Sequence, residues 1–203
     1  MNTIGISLGW RCRSSIHGVD LGLTPKKTDG YQRCPFDLMV SNYTGVVDCI
    51  NDGFDDLYNP KYLQLNTMPN GEQWVYHTKY KFLFNHESPG HADLYITQNW
   101  EGGKDHFISK NFERFVARYK RRCDNIKTYL NCNIHVVFVL ERYNNCPSEL
   151  TLLNEALRSR YPSLSYSFEL IDCIDNITEY IDLLKSIGFT DNDEEIIRTN
   201  VPR

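Results

Sequence analysis

The chain has no apolar run approaching the ~20 residues that a membrane-spanning helix requires, which excludes such a span. Its seven cysteines, at 12, 34, 49, 123, 132, 146 and 173, form no C-x-x-C pair, so the usual frameworks for structural zinc are missing. There is no basic excess either: the formal charge is -4, which argues against a general nucleic-acid surface. Neither G-x-x-x-x-G-K-[ST] nor G-x-G-x-x-G occurs, so no phosphate loop or dinucleotide fingerprint is expected. The first residues lack a charged-then-apolar leader, and an odd cysteine count fits free thiols in a reducing, cytoplasmic setting.

What is present is an ordinary globular composition. At 203 residues, 41% hydrophobic and 24% charged, the chain is long enough to bury a core without staples. No repeat or linker interrupts it, so residues 1–203 read as a single domain. Thirteen Tyr and ten Phe supply core and groove walls.

The periodicity sets out a layered α/β/α fold with a mostly parallel central sheet. Ile4, Ile6 and Leu8 alternate with small or polar residues as a first strand would, and Gly9 allows a sharp turn into a helix that fades at Gly18. Phe112, Phe115, Val116, Tyr119, Cys123, Ile126 and Leu130 recur at three- and four-residue steps, the clearest helical signal in the chain. Ile134 to Leu140 is nearly unbroken apolar, as a strand covered on both faces requires. A helix opened by Pro147 and Ser148, a strand over Ser165 to Ile171 and a helix after Asn176 then continue the alternation that produces parallel crossovers. Between these, Trp74 to His86 is rich in aromatic and β-branched residues and predicts one or two strands that deliver His86 at their end.

In an open α/β sheet, ligands gather beyond the carboxyl ends of the strands. Cys12 follows the first strand and opens a helix, where unpaired N–H groups favour a thiolate; the alternative is a small buried hydrophobe. A nucleophilic thiol needs a base, and of six histidines His86 is favoured by its place directly after a strand. His77 reads as surface and His135 as a satisfied strand residue. Asp37, anchored by Pro35 and Phe36, is either a site carboxylate or a turn cap. Backbone N–H groups from Gly9 to Cys12 would hold an oxyanion, with Ser7 beside them. The charged face at Arg121 and Arg122 is either solvated surface or the source of one arginine for an anionic group, and Glu141 and Arg142 end the apolar strand as site residues or as a loop ion pair. A metal set of His86, His91 and Asp93 or Asp105 matches no known ligand framework, so neither metal nor cofactor is expected.

Five segments together resemble the DUF1796 family of bacteria and large DNA viruses, described as papain-like cysteine peptidases. They are Ser7-Leu8-Gly9-Trp10-Arg11-Cys12, Pro35-Phe36-Asp37-Leu38 with Ser41, Phe84-Asn85-His86-Glu87, Tyr119-Lys120-Arg121-Arg122 and Val136-Val137-Phe138-Val139. Leu38 replaces the family's tryptophan, and Glu87 stands where aspartate is usual. The resemblance implies a Cys12 and His86 pair with Asp37 as a third member. Two functions follow as expectations. One is a thiol hydrolase or acyl transferase acting on a peptide or other acyl substrate. The other is a binding or transferase module for a glycan or phosphate ligand in the same cleft.

Overall fold

The computed structural model describes residues 3–9, 11–67, 71–91, 100–142 and 147–172. The helix expected after Asn176, together with Trp10, Asp93, Cys146 and Cys173, lies outside the described residues. In chain order the elements are β1 (Thr3–Ser7), α1 (Cys12–Asp20), α2 (Tyr43–Asn51), β2 (Leu63–Thr67), β3 (Gln73–His77), β4 (Phe82–Leu83), α3 (Ser109–Asn131), β5 (His135–Arg142), α4 (Pro147–Arg160) and β6 (Ser165–Asp172).

β5 is the centre of a parallel sheet, with β1 on one side and β6 on the other. Its apolar run is buried as that position demands, with Val136, Phe138 and Val139 fully enclosed. α1 packs on β1 and β5. The fold is therefore mixed α/β with a parallel main sheet, as the alternation of elements requires.

A second, antiparallel sheet of β2, β3 and β4 accompanies it, which the alternating grammar of the C-terminal third does not announce. The reason is local: β3 and β4 are joined by the short turn Thr78–Lys81, and so short a connection permits only antiparallel pairing. An isolated bridge between Val40 and Leu83 ties β4 to the segment that follows Asp37. One continuous cluster of buried apolar side chains, including Ile6, Phe36, Val75, Phe84, Phe115 and Phe138, runs through both sheets.

Two local expectations are corrected. Gly18 does not end α1, which runs on to Asp20. The glycine is there because a Cβ would press on the Thr24 hydroxyl, and its carbonyl accepts both Leu23 N–H and Thr24 N–H at 2.9 Å. His77 is not surface but fully buried. Its Nδ1 accepts Tyr80 N–H at 3.1 Å, which leaves Nε2 to donate to the Asp56 carbonyl at 3.0 Å, and burial pulls its pKa down to about 4. His135 is satisfied as expected, by Ser165 and Ser167 hydroxyls at 2.8 and 3.0 Å. The cap of α2 is Asn42, whose side chain accepts Gly45 N–H at 2.7 Å. No helix among the described residues is long and apolar enough to cross a membrane.

The turn after β1 is set by close packing. Gly9 has φ of 100°, and a Cβ on it would collide with the Ser41 hydroxyl. Gly9→Ala should therefore destabilise the fold by about 3 kcal/mol, from left-handed strain plus overpacking, measured by urea unfolding. Pairing it with Ser41→Ala should restore at least about 1 kcal/mol, because the colliding atom is gone. A strictly additive double variant would show that the contact is not the constraint.

Candidate active site

The segments that carry the resemblance are joined to one another by specific contacts. The Ser7 hydroxyl, fully buried, lies 2.6 Å from that of Ser14 on α1 and 3.3 Å from the Phe36 carbonyl, and it accepts Gly9 N–H at 3.1 Å. The Ser41 hydroxyl donates to the Leu8 carbonyl at 3.4 Å. These bonds clamp the first turn against the Pro35–Leu38 segment. They also spend Ser7 and the Gly9 N–H on the scaffold of the turn, so the N–H groups left facing outward begin at α1 itself, whose first turn has no side-chain cap.

Cys12 is the first residue of α1 and is half-buried. Its neighbours Arg11 and Arg13 both reach Glu141, which ends the buried part of β5 and is itself fully enclosed. Arg11 Nη2 and Nε donate to the Glu141 carboxylate at 2.9 and 3.4 Å, and Arg13 Nη1 stands 3.5 Å away. The pair is therefore an internal neutralisation. The carbonyl of Glu141 accepts the Tyr43 hydroxyl at 2.8 Å, and its N–H reaches the Gly9 carbonyl at 3.3 Å. The side chain of Arg142 lies outside the described residues.

The expectation of a favoured thiolate at Cys12 is overturned. Burial pushes the Cys12 thiol above its ordinary value, outweighing the lowering by Arg11 and by the backbone, and the Glu141 charge adds to the rise. At neutral pH the sulfur is a thiol that needs a base at the moment of attack.

Cys12 lines a cleft of about 290 Å³, as does Asp37. Asp37 is fully buried and acts as a cap: Oδ2 accepts Cys34 N–H at 2.8 Å, and Oδ1 accepts the Tyr31 hydroxyl at 3.2 Å. Burial raises its pKa to about 6, against the lowering by the Cys34 N–H and by Arg122. Of the two alternatives weighed for this residue the cap is what the contacts show, and the capping carboxylate also lines the cleft.

His86 lies in the short 3₁₀ turn Asn85–Glu87 after β4 and is not among the residues that line the cleft. Burial, then the charges of His91, Arg122, Arg118 and Arg33, lowers its pKa to about 4, so the ring is neutral across the physiological range. The next residue, Glu87, is fully enclosed and anchors the turn to α3. Arg118 Nε stands 2.9 Å from Glu87 Oε1, Arg122 Nη1 donates to the same oxygen at 3.4 Å, and the Tyr119 hydroxyl donates to Oε2 at 3.1 Å. Arg122 is therefore the arginine of the helix face that turns inward, and the carboxylate it meets is the protein's own. Arg121 stays exposed. Arg33 lines the cleft, and its charge acts weakly on both Asp37 and His86.

A family model described as "Putative papain-like cysteine peptidase (DUF1796)" matches residues 4–176. The chain belongs to this family. No curated protein matches it. Membership supports a cysteine hydrolase at the level of the family. The contacts that join the segments, namely Ser7 to Phe36, Gly9 to Ser41, Val40 to Leu83 and Glu87 to Arg122, give a physical reason for their occurring together in one chain. Tyr31 and Arg33 are residues whose parts sequence reasoning misses; Glu141, expected as a site residue or an exposed loop ion pair, does form ion pairs but is enclosed. A carboxylate directly after an unbroken apolar strand is the signal for Glu141.

The raised pKa of Asp37 has a definite sign. With a folded value of about 6 against 3.8 unfolded, the native state holds the proton more tightly, so its contribution is full below pH 4 and is lost as pH rises through 6. Asp37→Asn keeps an acceptor without the charge and should gain up to about 3 kcal/mol on wild type between pH 4 and 7. Asp37→Ala, which leaves Cys34 N–H and the Tyr31 hydroxyl without an acceptor, should lose about 2–4 kcal/mol at pH 4 and markedly less at pH 7, where wild type has lost its own Asp37 contribution. Urea midpoints at the two pH values measure both, and a difference between wild type and Asn that ignores pH would contradict a titrating Asp37.

Proposed function

We propose that this chain is a thiol-dependent hydrolase of acyl compounds in which Cys12 is the nucleophile, His86 the base and Asp37 part of the cleft that receives the substrate. The observation that carries the reading is the position of Cys12: the first residue of an uncapped helix, after the carboxyl end of a parallel strand, lining a cleft. Membership of the family supports it.

The chemistry balances without a cofactor. The Cys12 sulfur attacks the carbonyl carbon, the S–C bond forms, and the thiol proton passes to the neutral imidazole of His86. The oxyanion meets the N–H groups that open α1. As the bond to the leaving amine or alcohol breaks, the imidazolium returns that proton to it. Water then attacks the thioester, and the S–C bond breaks to release the acid and restore the thiol. If a second nucleophile replaces water, the same steps give acyl transfer.

The raised thiol pKa and the neutral His86 ring are mutually consistent in this scheme. No preformed thiolate and imidazolium pair is needed, because the proton moves during attack. The same raised pKa favours a second reading, a non-catalytic module that binds a glycan or phosphate ligand in the cleft.

Turnover of p-nitrophenyl acyl esters separates the two. Cys12→Ser should lose about 10³-fold or more in kcat/KM and His86→Ala about 10²-fold or more, with circular dichroism unchanged. Alkylation of wild-type Cys12 by iodoacetamide should accelerate only toward pH 9 and above. Esterase activity that survives Cys12→Ser would remove the thiol from the mechanism, and a wild type that binds but never turns over would favour the module.

A further inference from the structure

The cleft beside Cys12 has a charge pattern that thiol chemistry does not use. Along α1 its wall is apolar, with Ile16 and Val19 facing Leu38. Its rim carries three cations, Lys26, Lys27 and Arg33, all exposed. None of them forms an ion pair among the described residues.

Other arginines at this end of the molecule do reach enclosed carboxylates, two to each. Arg11 and Arg13 share Glu141, and Arg118 and Arg122 share Glu87. Two carboxylates also line the cleft. Asp37 is fully buried with both oxygens engaged, and Asp20 stands at the far end of α1. Three cations without an ion pair thus line the same cleft as Cys12, in a chain whose formal charge is -4, and outnumber the two carboxylates there. At about 290 Å³ the cleft is at the small end of ligand sites, sized for a small molecule or a single side chain rather than a folded surface.

We propose that the cleft selects a small acyl substrate bearing an anionic group, a carboxylate or a phosphate, which Lys26, Lys27 and Arg33 hold while its apolar part lies along α1. The proposal rests on Cys12 being the reacting thiol and adds the class of substrate. Arg33 fits the planar, bidentate recognition of either anion, and the two lysines act as point charges beside it. Discrimination against a neutral isostere then comes from leaving the three cations without a counter-charge.

Two alkylating probes that differ in charge test this on the full chain. Iodoacetate and iodoacetamide both transfer a carbon to sulfur and release iodide, and only the first is anionic. Their rate ratio at Cys12, divided by the ratio at the exposed Cys132, cancels intrinsic reactivity. At low salt this normalised ratio should favour iodoacetate by about tenfold, and it should fall toward one at high salt. The triple variant Lys26→Glu, Lys27→Glu, Arg33→Glu should invert it. Lys26→Gln with Lys27→Gln, a milder change that leaves Arg33 beside Asp37, should lower it severalfold. Acetate and inorganic phosphate added separately as competitors report which anion the rim prefers.

A normalised ratio at or below one in wild type, or one that survives the triple variant, overturns the proposal. Failure of the thiol reading looks different: Cys12→Ser keeps its esterase activity while the ratio still favours iodoacetate.

Discussion

The collision that any side chain at position 9 would make with Ser41 governs how the functional end of this molecule is assembled. Gly9 must be bare for the chain to leave β1 and enter α1 within so few residues, and the Ser41 hydroxyl fills the space a Cβ would take. Because Ser41 belongs to the segment that starts at Pro35, closing the first turn also seats Phe36 under Ser7 and Asp37 on the wall of the cleft. The bridge from Val40 to Leu83 then sets the chain that leads to His86 alongside. Cys12 owes its place to this sequence of contacts as much as to its own strand and helix.

Charge is sorted by depth. Two enclosed carboxylates, Glu141 at the end of β5 and Glu87 in the turn after β4, each draw two arginines inward. Buried pairs of this kind contribute little net stability, since desolvation offsets attraction, but removing one partner leaves an uncompensated charge inside. Their effect here is positional: Glu141 holds Arg11 and Arg13 on either side of Cys12, and Glu87 holds the His86 turn against α3. Elsewhere cations such as Lys79 and Lys127 pair with surface carboxylates, whereas Lys26, Lys27 and Arg33 in the cleft form no ion pair among the described residues. Glu87 lies where the resembling family has aspartate, and the extra methylene lets the carboxylate meet Tyr119, Arg118 and Arg122 together.

Much of this was legible in the residues, and the limits have physical causes. The 3.6-residue spacing of Phe115, Tyr119, Cys123, Ile126 and Leu130 specified α3, because one face of a helix must be apolar to pack. The apolar run from Ile134 specified a covered strand, and the turn at Gly9 placed Cys12 at the sheet edge. What one-dimensional pattern could not supply was partnership across long separations. That Arg122 rather than Arg121 turns inward depends on Glu87, and that Glu141 is enclosed rather than solvated depends on Arg11. His77 read as surface because its two hydrogen bonds come from loops that its own strand does not reveal. The candidate site was likewise legible only in part. Cys12 and Asp37 do share a cleft, whereas His86 is not among the residues that line it.

The same burial that shapes the site decides how it can react. A thiol at a helix start beside an arginine is a favourable setting for a thiolate, and here desolvation by burial exceeds the lowering by Arg11 and by the backbone, with the Glu141 charge adding to the rise. His86 is pushed the other way by the same logic: lying among Arg33, Arg118 and Arg122 and partly buried, its ring gives up its proton. Thiol and imidazole therefore both rest in their neutral forms. Arg33 both lines the cleft and is one of the charges acting on Asp37 and on His86, so a counter-charge bound at Arg33 would reach both groups.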